Sequence, residues 1–162
     1  IRSIERSNEL HKERILKDII KLGKKKIGIL GLSFKAGTDD LRESPMVDIA
    51  ERLIGKGFDL KIYDNNVHMS RLVGSNKSYI EKKLPHLANL LTNLDDAINN
   101  SDILVFSNKD IDIKEVENFY EKSQGSGIAI LEKTALKDKV LMDLVRIAKK
   151  PEKIGQYKGL CW

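Results

Sequence analysis

Residues 26–54, KIGILGLSFKAGTDDLRESPMVDIAERLI, contain the segment around which the whole chain is organised. The apolar run at 27–30 is typical of a strand that is buried on both faces in a parallel sheet. Ser44 and Pro45 then predict the start of a helix, because serine caps helix N-termini and proline fits the first helical turn. A loop between the carboxyl end of a strand and a helix is where open α/β sheets bind ligands. The sequence therefore predicts a binding edge at residues 31–45.

The loop after this strand lacks the glycine pattern that lets a dinucleotide pyrophosphate approach the backbone closely. A phosphate held here would be held by side chains, and the available cations are Lys35 and Arg42. Asp39 and Asp40 lie between them and either orient these cations or cap turns of the loop. The composition alone also fits a surface loop whose charged side chains are merely solvated.

The segment at 34–45, FKAGTDDLRESP, resembles the signature that opens the C-terminal, nucleotide-sugar-binding domain of the UDP-glucose/GDP-mannose dehydrogenase family. The Ala-Gly pair at 36–37 and the ending GLCW at 159–162 are most similar to the family members that act on GDP-mannose. Members that act on UDP-sugars are the near alternative. The likeness extends approximately from Ser7 to Asp110 and resumes in the last few residues, but it does not cover Arg146, to which no role is assigned.

The resemblance also implies an activity. Enzymes of this family oxidise the C6 alcohol of a nucleotide sugar to a carboxylate, with NAD as the hydride acceptor, in polysaccharide biosynthesis. Carried over by position, Lys35 would bind the nucleotide sugar with Phe34 beside it, and Arg42 would reach an NAD bound mainly by another domain. The family's catalytic residues belong upstream of Ile1, so no catalytic residue is expected in this chain and the chain alone is expected to be inactive.

The implied partners are GDP-mannose or a related nucleotide sugar, and the N-terminal and central regions of the same enzyme, which is expected to be a homo-oligomer when complete. Without the resemblance, a second class of function stays open. The chain would then be a freestanding Rossmann-like binding module with no chemistry of its own.

Length and composition fit one soluble domain. The chain has 162 residues, of which 41% are hydrophobic and 33% charged, enough for one core and too few for two substantial ones. No apolar run approaches the ~18 residues that a membrane span requires. The beginning, IRSIER, has neither an initiator Met nor the apolar core of a signal peptide, which predicts a segment of a longer, cytoplasmic protein.

Nucleic acid and metal are not expected as ligands. The whole net charge of +5 comes from residues 1–26, and aromatic residues, at 6%, are too sparse to stack on bases. The histidines at 11, 68 and 86 do not have metal-ligand spacing. Cys161 is the only cysteine, so no disulfide can form within the chain. It lies next to the chain end without a paired base nearby in the sequence, so a nucleophilic role is not expected.

An amphipathic helix is predicted at 7–22, with a face in which Asn8 and His11 interrupt apolar residues. Two interpretations stay open for it. The resemblance implies the end of the family's central dimerisation helix, whereas a helix packed on its own domain would place these two polar residues at a wet rim. The predicted boundary puts this helix and its linker in residues 1–23 and the nucleotide-sugar-binding domain in residues 24–162.

The rest of the pattern predicts an α/β fold. We expect a Rossmann-like parallel sheet with helices on both faces, preceded by the N-terminal helix. Residues 111–139 are not assigned. The other predicted elements are strands at 58–64, 102–107 and 140–145, the last one being the final strand, helices at 67–72, 78–84 and 94–98, and a turn at 74–77.

Other polar residues are predicted at the same edge as the binding loop. Asp64 ends the second strand and either binds ribose hydroxyls or, as we prefer without a glycine fingerprint, caps the following turn. The segment at 108–110 and Arg146 follow later strands, so both should open on this edge. We expect the 108–110 segment to make ligand contacts of secondary importance at most.

Overall fold

The computed structural model describes residues 2–33, 35–67, 74–83, 85–111, 139–147 and 156–160. In these residues, no helix is both long enough and apolar enough to cross a membrane. The expectations for a helix at 67–72, for residues 111–139, and for Phe34 and Cys161 lie wholly or mostly outside the described residues. The elements in chain order are α1 (Arg2–Lys21), β1 (Lys26–Leu30), α2 (Pro45–Gly55), β2 (Asp59–Tyr63), α3 (Gly74–Lys83), α4 (Pro85–Ala88), α5 (Leu94–Asn99), β3 (Ile103–Phe106), β4 (Val140–Asp143) and β5 (Gln156–Gly159).

The strands form one parallel sheet in the order β2-β1-β3-β4-β5. This confirms the predicted α/β fold with its N-terminal helix. Leu30 is in register with Tyr63 on one side and with Phe106 on the other, so three strands end at the same level. The strand order changes direction at β1, so the carboxyl ends of β1 and β3 form a switch point of the kind at which open α/β sheets bind ligands.

The predicted strand at 140–145 is shorter and is not the last one. β4 ends at Asp143, and β5 pairs in parallel with it at the edge of the sheet. Three residues of β5 are exposed and the fourth, Tyr157, is half-buried. An edge strand with so little burial has no apolar run, so the pattern that is typical of buried strands cannot identify it.

The predicted turn at 74–77 is also wrong, because these residues form the first part of α3. Their Gly, Ser and Asn residues have low intrinsic helix propensity. However, Ile80 on α3 and Leu87 on α4 are both buried in the core. Tertiary packing of this kind routinely overrides local propensity, and most helical stability in proteins comes from it.

The core lies on both faces of the sheet because side chains alternate along each strand. Ile27 and Ile29 pack on the face that is covered by α1 and α2, and Leu30 packs on the opposite face with α5. Gly28 also belongs to the α5 face, where a Cβ atom would lie 2.6 Å from the Ala97 carbonyl oxygen. The absence of a side chain at Gly28 therefore lets α5 approach β1 closely.

The N-terminal helix packs on its own domain through its second half. Ile15, Leu16 and Ile19 are buried in the same core as β1 and α2, whereas Asn8 is exposed and His11 is half-buried. This arrangement fits the interpretation of a helix with a wet rim. The boundary after residue 23 and the dimerisation role stay predictions.

Candidate functional site at the carboxyl edge of the sheet

At the switch point between β1 and β3, the loops that follow these two strands are joined by direct contacts. Ser107 Oγ donates hydrogen bonds to the carbonyl oxygens of Leu30, at 3.0 Å, and Gly31. The buried Asn108 side chain lies against Gly31, where a Cβ atom would be 2.6 Å from Asn108 Cγ. Gly31 also has φ +104°, so both its backbone angle and the close approach favour glycine. These contacts set the point at which the binding loop leaves the sheet.

Asp64 anchors the start of the same loop. Its side chain is 2% exposed, and Oδ2 accepts the backbone N–H groups of Leu32, at 2.7 Å, and Ser33, at 2.8 Å. Oδ1 accepts the backbone N–H groups of Asn66, at 2.9 Å, and Val67, at 3.2 Å. The turn-capping interpretation of Asp64 is therefore confirmed, because both carboxylate oxygens accept backbone N–H groups.

The middle of the loop is held by apolar anchors and by the cap of α2. Leu32 and Leu41 are both buried in the core. Ser44 accepts the backbone N–H of Met46, as predicted for an N-cap, and its hydroxyl donates to the Leu32 carbonyl oxygen at 2.7 Å. The loop thus has a fixed base, from which residues 35–37 and Arg42 extend as exposed positions.

Lys35 begins a tight turn at the exposed tip of the loop. Thr38 Oγ1 donates to the Lys35 carbonyl oxygen at 2.8 Å, and Gly37 adopts φ +76° with no atom near the position of its missing Cβ. The Gly37 backbone N–H donates to Asp110 Oδ2, which follows β3, at 2.6 Å. Within the described part of the chain, the ammonium group of Lys35 makes no ion pair. It is therefore available to an anionic ligand.

Arg42 is held by Asp40 in a two-pronged ion pair. Nε donates to Oδ1 at 2.8 Å and Nη2 donates to Oδ2 at 2.7 Å, while the Arg42 backbone N–H also donates to Oδ1, at 3.1 Å. Asp40 therefore both orients a cation and caps a turn, which were the two alternatives for this acid. Hydrogen bonds from the Arg42 guanidinium and backbone lower the pKa of Asp40 to about 2. Because arginine has five N–H donors, it can bind a second acceptor at the same time.

β4 ends in a buried acid in the same way as β2. Asp143 accepts the backbone N–H groups of Val145, at 3.0 Å, and Ile147, at 2.9 Å, and also the hydroxyl of Tyr157 at 2.6 Å. Arg146 lies exposed in this turn with φ +57°, on the edge predicted for it. Among the described residues, no group of three His, Cys, Asp or Glu could hold a metal ion.

The structure thus places Lys35 and Arg42 on one loop at the predicted edge, as separate exposed cations. The sequence did not reveal that Asp64 and Asp110 accept backbone N–H groups of the loop, or that Asn108 donates to the Ser33 hydroxyl. The only signal in the sequence was that each follows a strand. A contact between residues from 31 to 75 positions apart cannot be read from that signal.

Comparison with known proteins identifies the family of the chain. Residues 28–150 match the model of the UDP-glucose/GDP-mannose dehydrogenase family, UDP binding domain. The chain belongs to this family. The resemblance found in the loop is therefore confirmed, and the matched region contains all the loops described above.

Two relatives that match nearly the whole chain are GDP-mannose 6-dehydrogenases. The one from Pseudomonas putida is 44% identical over 99% of this chain, and the one from Pseudomonas aeruginosa is 43% identical over 99%. A UDP-N-acetyl-D-mannosamine dehydrogenase from Methanocaldococcus jannaschii is 30% identical over 82% of the chain. The chain spans about a third of the length of these Pseudomonas relatives, with 34% and 33% covered.

Solved structures of the family have the same fold. A ternary complex of GDP-mannose dehydrogenase from Pseudomonas aeruginosa superposes with a TM-score of 0.75 at 42% identity, over 99% of this chain and 33% of that one. A UDP-glucose dehydrogenase from Pyrobaculum islandicum gives a TM-score of 0.63 at 18% identity, over 99% of this chain and 32% of that one, and supports the fold alone.

Proposed function

We propose that this chain is the nucleotide-sugar-binding domain of an NAD-dependent nucleotide-sugar 6-dehydrogenase, and that the complete enzyme oxidises GDP-mannose to GDP-mannuronate. The observation that carries the proposal is the match to GDP-mannose 6-dehydrogenases along nearly the whole chain, at 44% identity for the Pseudomonas putida relative. A relative that is named for a UDP-sugar is less similar, at 30%, and matches a shorter part.

Lys35 is the proposed contact to the nucleotide sugar, with Phe34 beside it. Its support is geometric and electrostatic. Lys35 is an exposed cation at the carboxyl edge of a parallel sheet, in the loop that follows β1 at the switch point between β1 and β3, where such folds bind nucleotides. A diphosphate brings negative charge to this edge, and a lysine ammonium binds phosphate as a compact point charge.

Arg42 is the proposed contact to NAD, which accepts the hydride when it is bound. The loop fits a single side-chain contact and does not fit the main NAD site, because Leu32 and Leu41 fill the base of the loop where a glycine cradle would be needed. The pair with Asp40 fixes the guanidinium and leaves N–H donors for a phosphate oxygen. We infer that the rest of the NAD site lies in another part of the enzyme.

The proposed site is split, since the chain spans about a third of the length of its GDP-mannose 6-dehydrogenase relatives and contributes cations and backbone groups to one side of it. The complete enzyme is proposed to be a cytoplasmic homo-oligomer in which the other regions add the catalytic residues. The isolated chain should then bind GDP-mannose weakly and turn over none. Low-micromolar affinity of the isolated chain in calorimetry would contradict the split site.

The decisive experiment is a comparison of substrates. The complete enzyme is assayed for NAD reduction with GDP-mannose, UDP-glucose and UDP-N-acetyl-D-mannosamine at equal concentrations. We expect kcat/KM to be highest for GDP-mannose. A preference for either UDP-sugar would reject the proposed substrate while keeping the reaction class, and the absence of turnover with all three would favour a binding module without chemistry.

A further inference from the structure

The Asp110 carboxylate ties together the loops that follow three strands. Its Oδ2 atom accepts the backbone N–H of Gly37, from the loop after β1, at 2.6 Å. The same oxygen accepts Nδ2–H of Asn66, from the loop after β2, at 2.6 Å. Asp110 itself belongs to the loop after β3. One side chain thus fixes the relative positions of three loops at the edge that holds the candidate site.

Asp110 is supported from below by Asn108. Asn108 Oδ1 accepts the backbone N–H of Asp110 at 3.2 Å, and Asn108 Nδ2 donates to Ser33 Oγ at 3.2 Å. Asn108 is 6% exposed and packs against Gly31, so it cannot change position without disturbing the base of the binding loop. This support holds the Asp110 backbone at a fixed distance from the loop tip.

The tip of the binding loop depends on Asp110. Among the described hydrogen bonds of residues 35–37, the one from Gly37 to Asp110 reaches another element, whereas the one at Lys35 stays within its own turn. Gly37 lies two residues from Lys35 and has no side chain with which to anchor the tip. A charged acceptor makes this bond stronger than a neutral one would.

We propose that Asp110 is a positioning residue: by holding the Gly37 N–H, it places Lys35 where it meets the nucleotide sugar. This inference rests on the proposed role of Lys35. Asp110 acts through the loop, and Asn66 assists by fixing the orientation of the carboxylate.

The experiment uses Asp110→Ala and Asp110→Asn in the complete enzyme, with Asp59→Ala as the control. Asp59 is an exposed acid at the opposite end of β2 and carries the same charge change. The amide of asparagine can place its oxygen where Oδ2 lies, so this variant keeps the acceptor and removes the charge. Two quantities are measured: hydrogen exchange of the segment that contains Gly37 without ligand, and KM and kcat for GDP-mannose.

With Asp110→Ala, we expect faster hydrogen exchange around Gly37. We also expect KM for GDP-mannose to rise about tenfold and kcat to change less than about twofold. A tenfold rise is the loss of affinity expected when one hydrogen bond to a charged acceptor is removed. Asp110→Asn should restore most of the KM, and Asp59→Ala should change neither quantity. In a Lys35→Ala background, Asp110→Ala should raise KM no further, because the residue it positions is gone.

Two results would overturn the inference and leave the proposed function intact. One is an unchanged KM in Asp110→Ala together with a raised KM in Lys35→Ala. The other is an increase in KM on Asp110→Ala that is as large in the Lys35→Ala background as in the parent enzyme. That result would show that Asp110 does not act through Lys35. An unchanged KM in Lys35→Ala alone would instead reject the proposed role of Lys35, and this inference with it.

Discussion

Asp64 Oδ2 accepts the backbone N–H of Ser33 at 2.8 Å, across 31 residues of sequence. The bond joins the end of β2 to the start of the binding loop after β1. A buried carboxylate that accepts several N–H groups is strongly stabilised in place, because each bond is charge-assisted. The loop is therefore fixed from the neighbouring strand at its base, while its cations stay exposed.

Replacement of Asp64 should destabilise the protein more than any exposed acid does. Asp64→Ala leaves the N–H groups of Leu32 and Ser33 without an acceptor in a buried place, and we expect a loss of about 2–4 kcal/mol in the free energy of unfolding. Urea unfolding measures it. Asp64→Asn, which keeps one acceptor oxygen, should fall in between, and Asp59→Ala should stay within about 0.5 kcal/mol of the parent. A loss equal to that of Asp59→Ala would mean that the buried bonds contribute nothing.

Gly31→Ala should lower the free energy of unfolding by more than backbone strain alone would. Gly31 and Gly57 both have positive φ, +104° and +76°, but a Cβ atom at Gly57 meets nothing within 4 Å whereas one at Gly31 meets Asn108. Gly57→Ala therefore measures backbone strain, which is about 1–2 kcal/mol. Gly31→Ala should exceed it by about 1–3 kcal/mol because the buried Asn108 must move. Equal losses in thermal unfolding would contradict the close packing.

Lys35→Ala in the complete enzyme should raise KM for GDP-mannose about tenfold with little change in KM for NAD, as expected for the loss of one charged contact to phosphate. Lys56→Ala is the matched control, because Lys56 is an exposed lysine that follows α2 at the other end of the domain. Steady-state kinetics with each substrate varied in turn tests this. An identical KM for GDP-mannose in both variants would remove Lys35 from the site.

Arg42→Ala should affect the binding of NAD rather than the binding of the nucleotide sugar. We expect KM for NAD to rise about tenfold and KM for GDP-mannose to change little, and Arg42→Lys should recover only part of the loss since lysine lacks the planar fork. The pKa of Asp40, lowered to about 2, keeps the pair with Arg42 ionised throughout an assay range from about pH 5 to 8. An Arg42 effect that disappeared within this range would contradict the pairing.

The ion pairs that Lys12 and Arg52 make on α1 and α2 predict that the stability of the fold depends on pH. Lys12 pairs with Glu9 at 2.6 Å and with Asp48, and Arg52 joins the same two acids. Hydrogen bonds from Lys12 and Arg52 lower the pKa of Glu9. Burial raises the pKa of Asp48, but hydrogen bonds from Lys12 and Arg52 outweigh it and hold that pKa below its ordinary value.

Because both acids have lowered pKa values in the folded state, their contribution to stability is present above about pH 4 and is lost as the pH falls through the lowered values. Lys12→Ala should therefore lower the free energy of unfolding by about 0.5–1 kcal/mol at pH 7, and the difference from the parent should shrink as the pH falls below about 4. Lys17→Ala, at an exposed position of the same helix, is the control. A difference that did not change with pH would assign the loss to packing of the Lys12 stem.

The main elements could be predicted because their signals are local. β1 shows a continuous apolar run, and Ser44 and Pro45 mark the start of α2 by their own chemistry. Two elements could not be predicted, because their structure is set by contacts with distant parts of the chain. β5 is a strand because it pairs with β4, and the residues at 74–77 are helical because α3 is held by the buried Ile80. Both depend on partners elsewhere in the chain.

The sequence by itself determined the family, the parallel α/β fold and the loop that carries Lys35 and Arg42, since these follow from a contiguous motif and from side-chain periodicity. Only the tertiary structure decided what holds that loop. Asp64 and Asp110 bind its backbone from the ends of two other strands. Backbone N–H groups have no side-chain identity, so their acceptors become visible only when the strands are aligned in the sheet.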